Sequence, residues 1–438
     1  MATLLPTRIT QDPSDGYRFV PHLKTAEFDL RVSFDVLGGE RIRARMTGST
    51  VPTLRSGEYR ADLTARPGDI RAAAARLCER WRTVFVEYQP TIAGRPVTGR
   101  TRPYTALVDL SGEPEGELRQ TVAELARMGG SMLFDTLLGG DDERITMFRS
   151  SLAQALTDEG LRIRFDSSDL YLPWPMLCVK AEHLHESCAE ADLSLDDLFT
   201  LFLGYRHQLE HAGDAFPWIP SESTAEPPMP AVSLNHDTTV GTRLQRVREV
   251  AAALTAGTKC TERTTYQDLV RDLGTQVLDD QLMYFWCHGV FAPNGAEPAQ
   301  LVIRLTDQTP LDGYTVRELR TRFRRSGVFN PFVMLNACYA GTASGDGERS
   351  FLGKELIDHG AQGVLGPRIA MPQAFAAEYA FHFIREYLIG GPEATAGRIV
   401  QHLAREFASR YRNPLGFAYA LHSGMDSRLS RTSETGVA

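Results

Sequence analysis

Two stretches of this chain carry an apolar run that ends at a reactive side chain closely followed by glycine. The first is Gln281-Leu282-Met283-Tyr284-Phe285-Trp286-Cys287-His288-Gly289; the second is Pro331-Phe332-Val333-Met334-Leu335-Asn336-Ala337-Cys338-Tyr339-Ala340-Gly341. A run such as Leu282 to Trp286 predicts a strand buried on both faces, as in a parallel sheet. In open parallel sheets ligands bind just beyond the carboxyl ends of the strands. Neighbouring strands would then deliver an imidazole, His288, and a thiol, Cys338, to one rim.

The same patterning organises the rest. Residues 1–22 are polar and hold no clear period, a lead-in. Phe28, Leu30, Val32 and Phe34 alternate with polar residues and predict a half-buried strand. Gly38-Gly39 marks a turn to a hairpin partner over 41–46, and a third strand covers 59–64. Asp69 is placed to cap a helix with Ile70, Ala74, Leu77 and Trp81 on one face. Residues 23–102 thus read as a small α+β module without an assignable chemistry. Residues 103–220 are mostly helical, with Leu118, Val122 and Leu125 on one helix face and Phe148, Leu152 and Leu156 on another. A strand at Leu161 to Phe165 precedes Leu172-Pro173-Trp174-Pro175, whose prolines fix an extended segment that docks the indole in a core. Five prolines between 214 and 230 predict a linker. From 231 strands and helices alternate, with strands at 231–234, 301–305, 363–366 and 415–421 beside the two central runs. Alternation of this kind implies a mostly parallel sheet with helices on both faces.

Composition adds exclusions. The chain has 438 residues, 42% hydrophobic and 23% charged, with a formal net charge of −8. That balance is ordinary for a soluble protein and gives no general pull toward nucleic acid or anionic membrane. Lysine is confined to Lys24, Lys180, Lys259 and Lys354, the arginine bias of a GC-rich bacterial genome. The N-terminus lacks a basic start with a long apolar core, so no signal peptide is expected, and no apolar stretch is long enough to span a bilayer. The six cysteines (78, 178, 188, 260, 287, 338) show no Cys-x-x-Cys spacing. Neither structural zinc nor a disulfide framework is expected, and the pattern fits a reducing cytoplasm. No phosphate-binding Gly-x-x-x-x-Gly-Lys-Ser/Thr loop occurs, and no cofactor is called for.

A buried thiol is usually a small hydrophobe, and a strand-end histidine is usually structural. Here both stand at strand ends, Gly289 and Ala340-Gly341 admit close approach, and a glycine-rich loop follows Cys338. An imidazole beside a thiol is the minimal machinery for a cysteine nucleophile. Cys287 points opposite to His288 along an ideal strand and reads as core.

The segment Phe332 to Gly341 resembles the cysteine motif of CHAT-domain proteases, which are caspase-like bacterial proteins related to separase. Phe285-Trp286-Cys287-His288-Gly289 resembles the histidine motif of that family. Leu172-Pro173-Trp174, Phe351-Leu352, Gly360-Ala361, Phe381 to Gly390, and Asn413-Pro414-Leu415 with Tyr419 match in order. The resemblance covers roughly 103–430 and is densest from 231; Pro175 and Met371-Pro372 depart from it, since Glu and a Trp with an acid are common there. It implies an α/β fold with a caspase-like, mostly parallel sheet flanked by helices. The expected divisions are 1–22, the N-terminal module 23–102, a helical part 103–220, the catalytic core 221–430 and a tail 431–438.

The resemblance also implies a cysteine endopeptidase with Cys338 as nucleophile and His288 as general base and acid. A neighbouring imidazolium would lower the thiol below its usual value of about 8.5. The backbone N–H groups of Gly289 and Cys338 are the candidate oxyanion donors. Asn336 and the Asn235-His236-Asp237 turn would line the primary pocket. Asp237, or Asp346 and Glu348 from the other side, would favour a basic side chain; if these acids are solvated, a neutral or apolar one is preferred. The implied setting is bacterial defence or programmed death, with a dedicated protein partner as substrate and an activating partner or signal that orders the 341–350 loop. The alternative is a non-catalytic scaffold that binds its partner through 23–102.

Overall fold

The alternation that starts at Phe28 becomes strand β1 (Leu30–Leu37), which turns at Gly38 and Gly39 (φ 61° and 79°) into β2 (Arg41–Thr47) and continues to β3 (Tyr59–Leu63). Positive φ at both turn residues suits glycine, which lacks a Cβ. The computed structural model describes residues 28–429 apart from 52–58, 88–90, 93–94, 97–106, 185–191, 214–228, 295–296, 324–327, 342–351 and 392. Most of the expected linker over 214–230 lies outside the described residues.

Helix α1 (Pro67–Trp81) follows. Asp69, expected as its cap, lies inside the first turn because Pro67 opens the helix two residues earlier; there its charge still complements the helix dipole. Helices α2 (Glu115–Ser131) and α3 (Glu143–Ala155) lead to β4 (Arg162–Asp166) and β5 (Gln208–Ala212). Trp174, between those strands, is buried as its flanking prolines imply. Its ring stacks on Phe165 at 3.7 Å and its Nε1 donates to His211 Nδ1 at 3.2 Å.

The second half alternates as expected: β6 (Ala231–His236), α4 (Gln245–Thr255), β7 (Lys259–Arg263), α5 (Tyr266–Leu273) and β8 (Leu282–Trp286). A hairpin of β9 (His288–Asn294) and β10 (Glu297–Arg304) comes next. Then come α6 (Gly313–Thr321), β11 (Phe332–Asn336), α7 (Leu352–Asp358), β12 (Gly363–Pro367), α8 (Gln373–Ile389), α9 (Ala396–Tyr411) and β13 (Tyr419–His422).

Eleven of these strands form one sheet in the order β3-β2-β1-β4-β5-β13-β12-β11-β8-β6-β7. Its pairings are parallel except β1 with β2, β2 with β3, and β12 with β13. Residues 23–102, read above as a small module, contribute β1–β3 to this sheet, joined to the rest by parallel pairing of β1 with β4. The strand near 415–421 is interior, between β12 and β5. The strand near 301–305 is absent from the large sheet; it pairs with the residues after His288 in a separate three-stranded sheet.

The continuous apolar runs have a direct cause. β8 and β11 lie inside the sheet, and alternate residues serve two cores. Leu282, Tyr284, Trp286, Phe332 and Met334 join a core that includes α8 and α9 residues; Met283, Phe285, Cys287, Val333, Leu335 and Ala337 join the other, with residues of α5, α6 and α7. All ten positions of the two strands are buried. Among the described residues no helix is long and apolar enough to cross a membrane.

Candidate active site

β8 and β11 pair in parallel with Trp286 opposite Asn336. Two residues further along each chain stand His288 and Cys338, so the register that the apolar runs set brings the two reactive residues to neighbouring strand tips. The backbones meet there. A Cβ added at Gly289 would lie 2.1 Å from the Cys338 carbonyl oxygen and 3.1 Å from its nitrogen. Only glycine permits that approach. His288 is exposed, Gly289 is buried and Cys338 is half-buried. Cys287 is buried in the opposite core, as its strand parity requires.

Cys338 sits in a turn whose next residue, Tyr339, has φ 62°. A left-handed tyrosine costs about 1–2 kcal/mol, a strain of the kind that collects at functional sites. The turn is held by Tyr339 N–H to Ile369 O at 3.3 Å and Gly341 N–H to Pro367 O at 2.8 Å. The Tyr339 ring packs against exposed Phe291 at 5.3 Å, giving the rim an aromatic wall.

The expected depression of the Cys338 thiol is not found in this state. Burial pushes it above its ordinary value, against the opposing influence of backbone hydrogen bonding at Met371 and Cys338 itself. The desolvated thiolate is disfavoured more strongly than those contacts favour it.

Two of the pocket candidates already hold hydrogen-bond partners within the chain. Asn336 is 4% exposed. Its Nδ2 donates to Tyr284 Oη at 3.3 Å and Ala376 O at 2.9 Å, and its Oδ1 accepts from Tyr419 Oη at 2.9 Å. It braces β11 against β8, α8 and β13 and is not available to a substrate side chain. Asp237 is fully buried. Its carboxylate accepts from Thr239 N–H (2.8 Å), Thr239 Oγ1 (2.7 Å) and Gln308 Nε2 (2.8 Å). Burial alone would raise its pKa, but those bonds, with His288 nearby, hold it below the usual carboxylate range. Asp237 therefore stabilises the turn after β6 and contributes negative charge near His288. Asp346 and Glu348 lie outside the described residues.

A cavity of about 280 Å³ opens beside this turn, walled by Leu234, Val240, Val250, Tyr284 and Trp286 among others. The Trp286 indole is fixed by its Nε1 donating to Val240 O at 3.1 Å.

Arg368 carries no signal in the sequence. Its guanidinium is 4% exposed and donates to Gly341 O at 2.6 Å and Tyr171 O at 2.5 Å. It also meets the Cys78 thiol of α1. His422 Nε2 shares Gly341 O at 3.1 Å. One buried cation thus links the turn after Cys338, the Tyr171–Trp174 segment and α1. The Tyr339 phenol is pushed up by burial, while Arg82 just beyond α1 opposes that shift. The N-terminal region therefore lies beside the residue after Cys338. A lone arginine between strands has no periodic signature; three carbonyl and thiol partners from distant segments reveal it only in three dimensions.

Residues 226–420 match the family model described as the CHAT domain. Among solved structures the chain is similar to a chain of the Saccharomyces cerevisiae separase–securin complex at 2.6 Å resolution, with 8% identity, 90% of this chain and 30% of that chain covered, and a TM-score of 0.40. A second structure of that complex, at 3.0 Å, gives 9% identity, coverage of 80% and 22%, and a TM-score of 0.34. The chain spans about 30% of the length of the first of these. No curated protein matches it. The chain therefore matches the CHAT-domain model over residues 226–420, on the α/β fold of mostly parallel strands described above.

Proposed function

We propose that the chain is a cysteine endopeptidase in which Cys338 is the nucleophile and His288 the general base and acid. The backbone contact of Gly289 with Cys338, on adjacent parallel strands in register, carries this reading. His288 takes the proton of the Cys338 thiol as sulfur attacks the peptide carbonyl carbon. The carbonyl π pair moves to oxygen, and the N–H groups of Gly289 and Cys338 stabilise the oxyanion. The intermediate collapses, the C–N bond breaks, and the His288 imidazolium protonates the leaving amine. Water, deprotonated by His288, then attacks the thioester, which releases the acid and restores the thiol.

The thiol held above its ordinary value describes a resting enzyme. Binding of a partner or substrate near the Tyr339 turn would bring the imidazole and thiol into an ion pair and lower it. A dedicated protein substrate, a cytoplasmic setting and a role in bacterial defence or programmed death complete the proposal. The test is co-expression with proteins encoded by neighbouring genes, followed by amino-terminal sequencing of fragments. Cleavage by the wild-type chain that is lost in Cys338→Ala and in His288→Ala supports the reading; cleavage that persists in both overturns it.

The same raised thiol favours a second reading, a scaffold that binds a partner without hydrolysis. A Cys338→Ala chain that retains full biological effect would select it.

A further inference from the structure

The cavity beside the turn after β6 points to a substrate class, and the inference rests on the endopeptidase reading. We infer that this cavity receives one large apolar side chain, aromatic or branched aliphatic, from the substrate residue just before the scissile bond.

Position comes first. Trp286, the last residue of β8, forms one wall and precedes His288 by two residues. Tyr284 forms another, and its hydroxyl accepts from Asn336, two residues before Cys338. The cavity is therefore coupled to both strand tips. Its far side is the turn after β6 and the first turns of α4. Gly241 there, at φ 65°, lies so near the indole that an added Cβ would stand 3.0 Å from the ring.

Size comes second. An apolar cavity of about 150 Å³ holds benzene, so about 280 Å³ accommodates an aromatic ring with its methylene. It falls short of the roughly 300–1,000 Å³ typical of sites for whole small molecules.

Chemistry decides the class. Leu234, Val240, Val250, Tyr284 and Trp286 are buried apolar or aromatic walls. Among the described residues the one acid lining the cavity is Asp237, whose two carboxylate oxygens already accept from Thr239 and Gln308. Arg248, exposed at the mouth, repels an incoming lysine or arginine. An acidic side chain could pair with Arg248 only at the mouth and would leave the apolar interior empty. A side chain such as Phe, Leu or Met fills it.

The test is a proteome-derived peptide library cleaved by the wild-type chain and by two cavity-filling variants on α4, Ala251→Phe and Val247→Phe, with melting temperatures checking their folds. The expected result is a preference of at least about tenfold for Phe, Leu or Met over Arg, Lys, Asp and Glu before the cleaved bond. A filled variant that folds should shift the preference to alanine-sized residues. Preference for a charged residue, or an unchanged profile in both filled variants, overturns the inference. If the wild-type chain cleaves nothing, the endopeptidase reading fails separately, and the cavity is judged by binding to the Cys338→Ala chain. There saturation-transfer NMR should show N-acetyl-phenylalaninamide bound in preference to N-acetyl-argininamide, with the preference lost in Ala251→Phe. Equal or absent binding of the two probes overturns it.

Discussion

A Cβ added at Gly289 would stand 2.1 Å from the carbonyl oxygen of Cys338. Backbone, and not a movable side chain, occupies that space, so the two strand tips would have to separate. The Gly289→Ala chain is expected to lose about 1–3 kcal/mol of stability, the usual cost of overpacking. Peptide hydrolysis should fall by about 10²-fold or more, because displacement of a reactive pair by about 1 Å has that effect. Urea unfolding and kcat/KM on a cleaved peptide check both.

The Arg368 guanidinium reaches Gly341 O, Tyr171 O and the Cys78 thiol from one buried position. Lysine cannot span these acceptors with a planar fork. Arg368→Lys is expected to destabilise the whole chain by about 2–4 kcal/mol, from loss of the guanidinium's hydrogen bonds and burial of a strongly hydrated ammonium in its place. A single lowered unfolding transition is the expected record.

Acid should unfold the protein early. Burial holds His207 and His422 down to about 3, against an unfolded value near 6.5. Depressed histidines contribute stability that is complete above about 6.5 and is lost as pH falls from there toward about 3, because the unfolded chain binds the protons first. The urea midpoint should decline steadily from pH 7 to pH 4. A flat midpoint over that range contradicts the burial of these imidazoles.

Alkylation of Cys338 in the resting chain should have the opposite pH character to an activated thiol. Burial pushes the thiol up, so the rate with iodoacetamide should climb through and beyond the ordinary value of about 8.5. Addition of a cleaved peptide with a non-hydrolysable bond should shift that profile toward lower pH. A resting profile already complete by pH 7 contradicts the proposed resting state.

The reactive pair is readable in the sequence because central parallel strands are apolar on both faces. Leu282–Trp286 and Phe332–Asn336 therefore stand out, and their ends mark His288 and Cys338. Gly289 is readable for the same reason: a glycine after a strand-end histidine permits close approach. The joining of β1–β3 to the large sheet is not readable, since β1 pairs with β4 through backbone groups that carry no side-chain signature. That Asn336 and Asp237 are already hydrogen-bonded is not readable, because a polar side chain near a cleft has no partner visible in the sequence. The hydroxyls of Tyr284 and Tyr419 and the amide of Gln308, which engage them, come from segments far away along the chain. The left-handed Tyr339 is hidden because tyrosine has no preference for that backbone conformation.

In the proposed reaction the sulfur of Cys338 becomes acylated with help from the His288 imidazole. Intact-mass spectrometry during a rapid-quench reaction with a cleaved peptide tests it directly. A thioester adduct on Cys338 is expected to form in the wild-type chain, to be absent from Cys338→Ala, and to form about 10²–10⁴-fold more slowly in His288→Ala. Peptide cleavage at the wild-type rate by Cys338→Ala, or an undiminished adduct rate in His288→Ala, would contradict it.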